Sequence, residues 1–297
     1  MGKTDFWASL WALLSSRGRR RYLATHMPEV AARRPSALLR SCAGMGITSL
    51  VARYGERYEI ELDTRAGHIA VGVLKTGAFQ PEPMAVVARL LGEARPLFVN
   101  VGANVGTTLL NAHAQGFSRF VAVEPVARNF ALLRGNMARN GIAARLHHAA
   151  LGRVEEEREI NLDAHNGGGH SFHGLADPGG VERVRVTRLD RLGLDEPFFL
   201  WVDTEGFEAE VLAGCDPALL ARHCLGICIE LSPLHSGPGP ALEVLERLAA
   251  LFPVLRDDAG RPVRLETLRD DIAAGRVEQI DLVAERLAAV GAEGTDR

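Results

Sequence analysis

The stretch from Leu97 to Gly106, Leu-Phe-Val-Asn-Val-Gly-Ala-Asn-Val-Gly, limits the fold more strongly than any other part of this 297-residue chain. It reads as an apolar strand running into a turn with glycines at Gly102 and Gly106, followed by a helix that opens near Thr107. Glycines let the backbone of such a turn approach a ligand closely. The free amides at the helix start, with the positive end of its dipole, favour a nucleotide-like or carboxylate-bearing guest above the strand end. An ordinary strand-to-helix turn would show the same local pattern, so the rest of the chain has to decide.

Downstream, strand and helix alternate. Arg119 to Val123 is an apolar run ending in Glu124 and Pro125, Ala127 to Asn140 is a helix stopped by Gly141, and Arg145 to Ala149 is a third strand. Repeated βαβ units predict a parallel sheet covered on both faces, with ligands at the carboxyl ends of its strands. Glu124 follows Gly102 by 22 residues and closes the neighbouring strand. A carboxylate there is placed to accept hydrogen bonds from both hydroxyls of a ribose. Further on, Phe198 to Val202 is apolar and breaks off at Asp203, Glu205 and Gly206, and a helix then runs through Leu212 to a stop at Gly214. Leu225 to Ile229 ends in Glu230, which lands on the same sheet edge. Glu205 and Glu208 also suit a helix start for electrostatic reasons alone. Asp203 has no such explanation and is the first candidate for a functional acid. The last two strands are expected at Phe252 to Leu255 and Gln279 to Ala284, after a loop from Ser232 to Pro240 and a helix from Ala241 to Leu251.

Between these units Arg158 to Leu162 and Val184 to Val186 read as strands around a loop, Asn166-Gly-Gly-Gly-His-Ser, whose length suits a lid or substrate wall. His170 and Ser171 sit at its tip; His170 is either a solvated loop histidine or a group for substrate contact and proton transfer. Before the sheet, Tyr58, Ile60 and Leu62 alternate, as do Ile69, Val71 and Val73, which predicts a β-hairpin within residues 53–74. Met84 to Leu91 is then expected to be a helix.

An apolar content of 47% is ample for a large core, and a net charge of −3 leaves no overall footprint for nucleic acid. The charge is uneven: residues 1–34 hold seven Lys and Arg against two acids, a local +5. Phe6, Trp7, Leu10, Trp11 and Leu14 recur at helical spacing just before Arg17, Arg19, Arg20 and Arg21. Residues 1–50 therefore read as a helical extension that packs on the main domain or a second subunit, or that touches an anionic membrane surface through residues 5–21. The apolar run is too short to span a bilayer, and its arginines follow it, the reverse of a secretory signal. Cys42, Cys215, Cys224 and Cys228 form no paired spacing, which suits a reducing, cytoplasmic setting, and the ten histidines form no zinc pattern.

Three features together carry a resemblance: Asn100 to Gly106, the strand end Glu124-Pro125, and Val202-Asp-Thr-Glu-Gly-Phe-Glu-Ala-Glu-Val-Leu-Ala-Gly ending at Gly214. Over roughly Gly77 to Glu230 the chain resembles the FkbM family of S-adenosylmethionine-dependent methyltransferases. Asn100 stands where many relatives carry Asp, and Gln80 stands at the usual acid position of the family's aromatic-plus-acid loop, here Phe79 to Glu82. The resemblance implies a Rossmann-like class I methyltransferase fold: a mostly parallel seven-stranded sheet with a final antiparallel strand and helices on both faces, in a domain of residues 51–290 that follows the extension and contains the hairpin 53–74 and a cofactor-binding core at 77–290. It implies methyl transfer to oxygen, with a sugar, glycan or secondary metabolite as acceptor. The backbone from Asn100 through Gly102, Ala103, Asn104 and Gly106 to Thr107 would hold the methionine portion of the cofactor. Glu124 and Pro125 would flank the ribose, Ala149 and Ala150 the adenine, and Phe79 is a further contact. Asp203 is the expected base, with Glu205, Glu230 and His170 as lesser candidates, and a divalent ion would help by acidifying the hydroxyl. Two other classes fit less well. A nicotinamide oxidoreductase would need G-x-G-x-x-G, which Asn104 interrupts, and a non-catalytic binding module leaves the acids at 203, 205 and 230 without a task.

Overall fold

The computed structural model describes residues 32–65, 67–175 and 177–286. The Trp- and Arg-rich segment 5–21, with the membrane contact expected of it, lies outside the described residues. Of the extension, the described part is helix α1 (Pro35–Gly44), which buries Leu39 and Cys42.

A two-stranded ribbon follows, β1 (Ser49–Tyr54) antiparallel to β2 (Tyr58–Asp63), joined by a tight turn at Gly55. The hairpin expected within 53–74 is therefore displaced. Tyr58, Ile60 and Leu62 form a strand as read, but its partner precedes it, and Ile69, Val71 and Val73 lie in helix α2 (Gly67–Thr76). The reason is that Ile69 and Val73 are four residues apart, so a run that alternates also fills one helical face; Ile69, Ala70 and Val73 are the buried ones. Helix α3 (Glu82–Leu90) then leads to the main sheet.

That sheet has seven strands: β3 (Leu97–Val101), β4 (Phe120–Glu124), β5 (Arg145–His148), β9 (Phe198–Val202), β10 (Cys224–Leu231), β11 (Val254–Asp257) and β12 (Ile280–Glu285). Their spatial order is β11-β12-β10-β9-β3-β4-β5, and β12 is inserted antiparallel between β10 and β11 while the other four neighbouring pairs run parallel. Helices α4 (Thr107–Ala114) and α5 (Ala127–Arg139) connect the first three strands. Every residue of β3 and β4 is buried, which explains why these strands read as continuous apolar runs rather than as alternating ones. Two apolar clusters, one on each face, enclose the sheet: Val99, Val101 and Leu200 point into one, Phe98, Ala122 and Phe199 into the other.

The departure between core units forms a small second sheet, in which β8 (Pro178–Thr187) pairs in parallel with β6 (Ala150–Leu151) and antiparallel with β7 (Glu156–Asp163). After β9 come α6 (Glu208–Ala213), α7 (Pro217–His223), a short α8 (Pro233–Ser236) inside the expected loop, α9 (Pro238–Leu251) and α10 (Leu265–Ala273). Helix α7 carries a legible start, with Asp216 accepting from the Ala218 N–H at 2.8 Å and Pro217 in the first position. No helix among the described residues is long and apolar enough to cross a membrane.

Candidate active site

Parallel strands β3, β4, β9 and β10 end on one edge, and a cavity of about 370 Å³ opens above them. Its lining includes Gly102, Ala103, Asn104 and Thr107 from the glycine turn and α4, Glu124 and Pro125 after β4, and Ala149 and Ala150 after β5. Phe79, His170, Asp203, Glu205 and Glu230 also line it. Two expected residues do not. Asn100 is fully buried within β3, with both amide atoms unpartnered, and Gly106 faces α5.

The two glycines of the turn serve packing. Gly102 has φ +80°, and a Cβ there would fall 1.7 Å from the Asp203 carbonyl oxygen, so the turn lies directly on the end of β9. Gly106 has φ +96°, and a Cβ there would meet Met137 and Leu133 of α5 at 2.9 and 3.0 Å. Helix α4 begins with no side-chain cap, which leaves first-turn amides for a guest beside Thr107.

Glu124 is buried, and its carboxylate is fully placed: Oε2 accepts from the Asn104 N–H and Oε1 from the Val126 N–H, both at 2.9 Å. Burial pushes its pKa up to about 7, against the pull of those donors. Glu124 lines the cavity together with Asn129. Asn104, at φ +50°, donates its side-chain amide to the Gly167 carbonyl at 3.0 Å, and Asn129 donates to the same oxygen at 2.9 Å. The triglycine loop is thus fastened over the glycine turn. Near its other end Ser171 donates to the Glu205 carbonyl at 2.7 Å, so the loop bridges both ends of the cavity.

At the far end the acids converge. One oxygen each from Asp203, Glu205 and Glu230 lie within 4.8 Å of one another, a spacing that a divalent cation could also bridge. Asp281 of β12 sits opposite Glu230 in the antiparallel register and lines the same cavity. Burial first, then the charges of Glu230 and Glu205, raise the Asp203 pKa well above the ordinary value. Glu205 is pushed up to about 8 by burial and by Glu230, and Asp281 to about 7 by burial and by Glu230. Glu205 is held at φ +51°, an unusual conformation for a side-chain-bearing residue, with His235 Nδ1 at 3.4 Å from its carboxylate. The turn that holds it is organised by Glu208. Its Oε1 accepts from the Thr204 N–H (3.2 Å), the Thr204 hydroxyl (2.9 Å) and the Gly206 N–H (3.0 Å), so this acid is more than a helix-starting charge.

His170 has a restricted role. Its Nδ1 accepts from the Asp163 N–H at 2.9 Å, and burial lowers its pKa, so the neutral ring carries its proton at Nε2 and acts as a donor. That geometry is unsuited to a general base.

A ligand combining a carboxylate, a ribose and a flat apolar ring fits this lining. The first turn of α4 suits the carboxylate, Glu124 the hydroxyls, and Val126, Ala149, Ala150, Leu151 and Ile160 the ring. Asp281, His235 and Asn129 line the cavity without a signal in the sequence, and Glu208, legible there only as a helix-starting charge, holds the turn that carries Glu205.

The methyltransferase FkbM domain model matches residues 100–256, just over half of the chain. A search of curated proteins finds no match. Among solved structures, the T. thermophilus 16S rRNA N2 G1207 methyltransferase in complex with AdoMet and guanosine matches with a TM-score of 0.41 at 15% identity, over 80% of this chain and 50% of that one. The Pyrococcus abyssi tRNA (uracil-54, C5)-methyltransferase in complex with S-adenosyl-L-homocysteine matches with a TM-score of 0.39 at 12% identity, over 80% of this chain and 44% of that one. The chain thus spans half or less of the length of these two structures. With the domain model running from Asn100 through the Asp203 turn to β11, the chain belongs to the FkbM family of S-adenosylmethionine-dependent methyltransferases.

Proposed function

We propose that this chain methylates a hydroxyl oxygen of a sugar, glycan or secondary metabolite. The observation that carries the reading is the convergence of Asp203, Glu205 and Glu230 in the same cavity as the glycine turn and Glu124. When bound, S-adenosylmethionine supplies a methyl carbon already activated by its sulfonium. What remains for the protein is positioning and removal of the acceptor's proton.

The backbone from Gly102 to Asn104 and the start of α4 would hold the methionine portion, Glu124 the ribose, and Ala149 to Leu151 the adenine. Asp203 is the base. Its neighbours Glu205 and Glu230 raise its proton affinity, so a deprotonated Asp203 takes a proton from an acceptor hydroxyl more readily than an isolated aspartate does. Glu205, Glu230 and Asp281 also offer acceptor oxygens to vicinal hydroxyls, as a polyol requires. His170 donates from Nε2 and orients the acceptor.

The test is a methyl-transfer assay against pooled glycans and small polyols, paired with calorimetry using S-adenosylmethionine and NAD. Binding of S-adenosylmethionine but not NAD is expected, with product methylated on oxygen. Binding of NAD, or label recovered only on nitrogen or carbon, overturns it.

A further inference from the structure

The ribbon β1–β2 precedes the matched domain, yet it reaches the cavity through a loop whose backbone is held almost wholly from outside. Residues 77–80 form no helix or strand of their own. The Gly77 carbonyl accepts from the Gly55 N–H of the ribbon turn at 2.7 Å, and the Ala78 carbonyl accepts from the Thr76 hydroxyl at 2.7 Å. The Phe79 N–H donates to the Tyr54 hydroxyl at 3.2 Å. The carbonyls of Phe79 and Gln80 accept from the Asn111 side-chain amide at 2.9 and 3.3 Å. Tyr54 and Asn111 are themselves joined, the Tyr54 hydroxyl donating to Asn111 Oδ1 at 2.7 Å, and both are buried.

This network imposes an unfavourable shape. Gln80 sits at φ +43°, a left-handed conformation that a residue with a side chain adopts only when its surroundings over-determine it. The Phe79 ring is meanwhile steadied edge-on by His68, with centroids 5.5 Å apart at 89°. The outcome is a wall: Phe79 and Gln80 line the cavity beside Thr107, Thr108 and Asn111, the first two turns of α4.

We propose that Tyr54 and Asn111 are positioning residues that fix Phe79 and Gln80 over the methionine end of the cofactor site, so that the ribbon ahead of the matched domain sets cofactor affinity. The inference rests on the reading that the α4 end of the cavity receives that part of S-adenosylmethionine. Tyr54 touches neither cofactor nor acceptor; it acts through the loop. Removing its hydroxyl leaves the Phe79 N–H and Asn111 Oδ1 without a partner in a buried place, which releases the loop from its left-handed shape.

Calorimetry of the full chain with S-adenosylhomocysteine tests this, comparing wild type with Tyr54→Phe, Asn111→Ala and the double variant. Each single variant is expected to weaken binding about tenfold and to raise KM for S-adenosylmethionine by a similar factor, with kcat at saturation falling less than about threefold. The double variant is expected to be no weaker than the worse single one, because both act on the same loop. Single variants that bind within about twofold of wild type overturn the proposal, as does a loss confined to kcat with unchanged affinity. If circular dichroism shows that Tyr54→Phe does not fold, Asn111→Ala decides alone. A wild-type protein that does not bind S-adenosylhomocysteine refutes the cofactor assignment itself, a result distinct from a flat variant series on a binding wild type.

Discussion

At one end of the cavity Glu124 receives backbone N–H groups from Asn104 and Val126, whereas at the other Asp203 faces Glu205 and Glu230 with no donor bonded to its carboxylate among the described residues. Both acids close parallel strands on one sheet edge. The first is built into the backbone of two turns and is ordered before any ligand arrives. The second sits among acids whose charges repel its own, and burial with those charges makes Asp203 and Glu205 hold protons more tightly than isolated carboxylates do. The roles proposed for them, a preformed binding group and a group that exchanges a proton, follow from what surrounds each acid, although both read as an acid after an apolar run.

Substitutions at the two ends are therefore expected to fail differently. Asp203→Ala should remove the base and lower kcat by about 10²- to 10⁴-fold, while S-adenosylhomocysteine affinity stays within about tenfold of wild type. A variant that keeps full rate breaks the contrast at its strong end. Glu124→Ala should do the opposite, weakening S-adenosylhomocysteine binding by about ten- to a hundredfold through loss of charge-assisted hydrogen bonds, with a smaller effect on saturated turnover. Unchanged calorimetric affinity would dissociate Glu124 from the ribose. Because Glu124 also ties two backbone turns together, Glu124→Gln is the control: it keeps an acceptor for one turn and should fall between the two.

Why one end was more legible than the other follows from how the sheet is assembled. Ends of consecutive parallel strands lie on one edge whatever the details, so Gly102, Glu124, Asp203 and Glu230 could be placed together from the βαβ rhythm alone. Asp281 could not, because it reaches the cluster only through the insertion of β12 beside β10, a tertiary choice with no local signal. His170 was legible as a loop histidine but not as a donor, since its tautomer is set by the Asp163 N–H, a contact made only when the loop folds back on the end of β7. Asn100 and Gly106 belonged to the right motif, yet motif membership does not say which way a side chain points: one faces the interior of the sheet and the other faces α5. The displaced hairpin shows the same limit at the level of elements, because spacing of four and spacing of two coincide at Ile69, Val71 and Val73.

The acid end also predicts a pH response. With Glu205 at about 8 and Asp281 at about 7, saturated turnover should rise about tenfold between pH 6 and pH 8.5 as the cluster loses a proton, and then level. Glu230→Gln removes the charge that raises its neighbours, so the midpoint of the profile should move to lower pH. A midpoint that stays in place would mean that the titrating group lies elsewhere.

The smallest effect is on stability, and it tests the contrast without any substrate. The Glu205 pKa is raised from 4.5 to about 8 in the folded chain, so the folded state binds a proton across that window while the unfolded state has lost it. Stability contributed by protonated Glu205 is therefore complete below about 4.5 and is lost as pH rises through about 8. Glu205→Gln has no such loss, so its Tm should exceed that of wild type by an amount that grows from pH 5 to pH 8.5. Because the side chain keeps some solvent contact and its neighbours can shift protons among themselves, the difference should reach about 1–2 kcal/mol, or about 2–6 °C, well short of what the whole shift implies. Glu124 also has a raised pKa, but its carboxylate is held by the Asn104 and Val126 N–H groups, so Glu124→Gln loses those charged bonds and should gain less or be destabilised. Scanning calorimetry of both variants across that range would show whether the two ends differ in this way. Parallel curves for Glu205→Gln and wild type at every pH would mean that Glu205 is already ionised near neutrality, and the far end of the cavity would then lose its claim to be a proton reservoir.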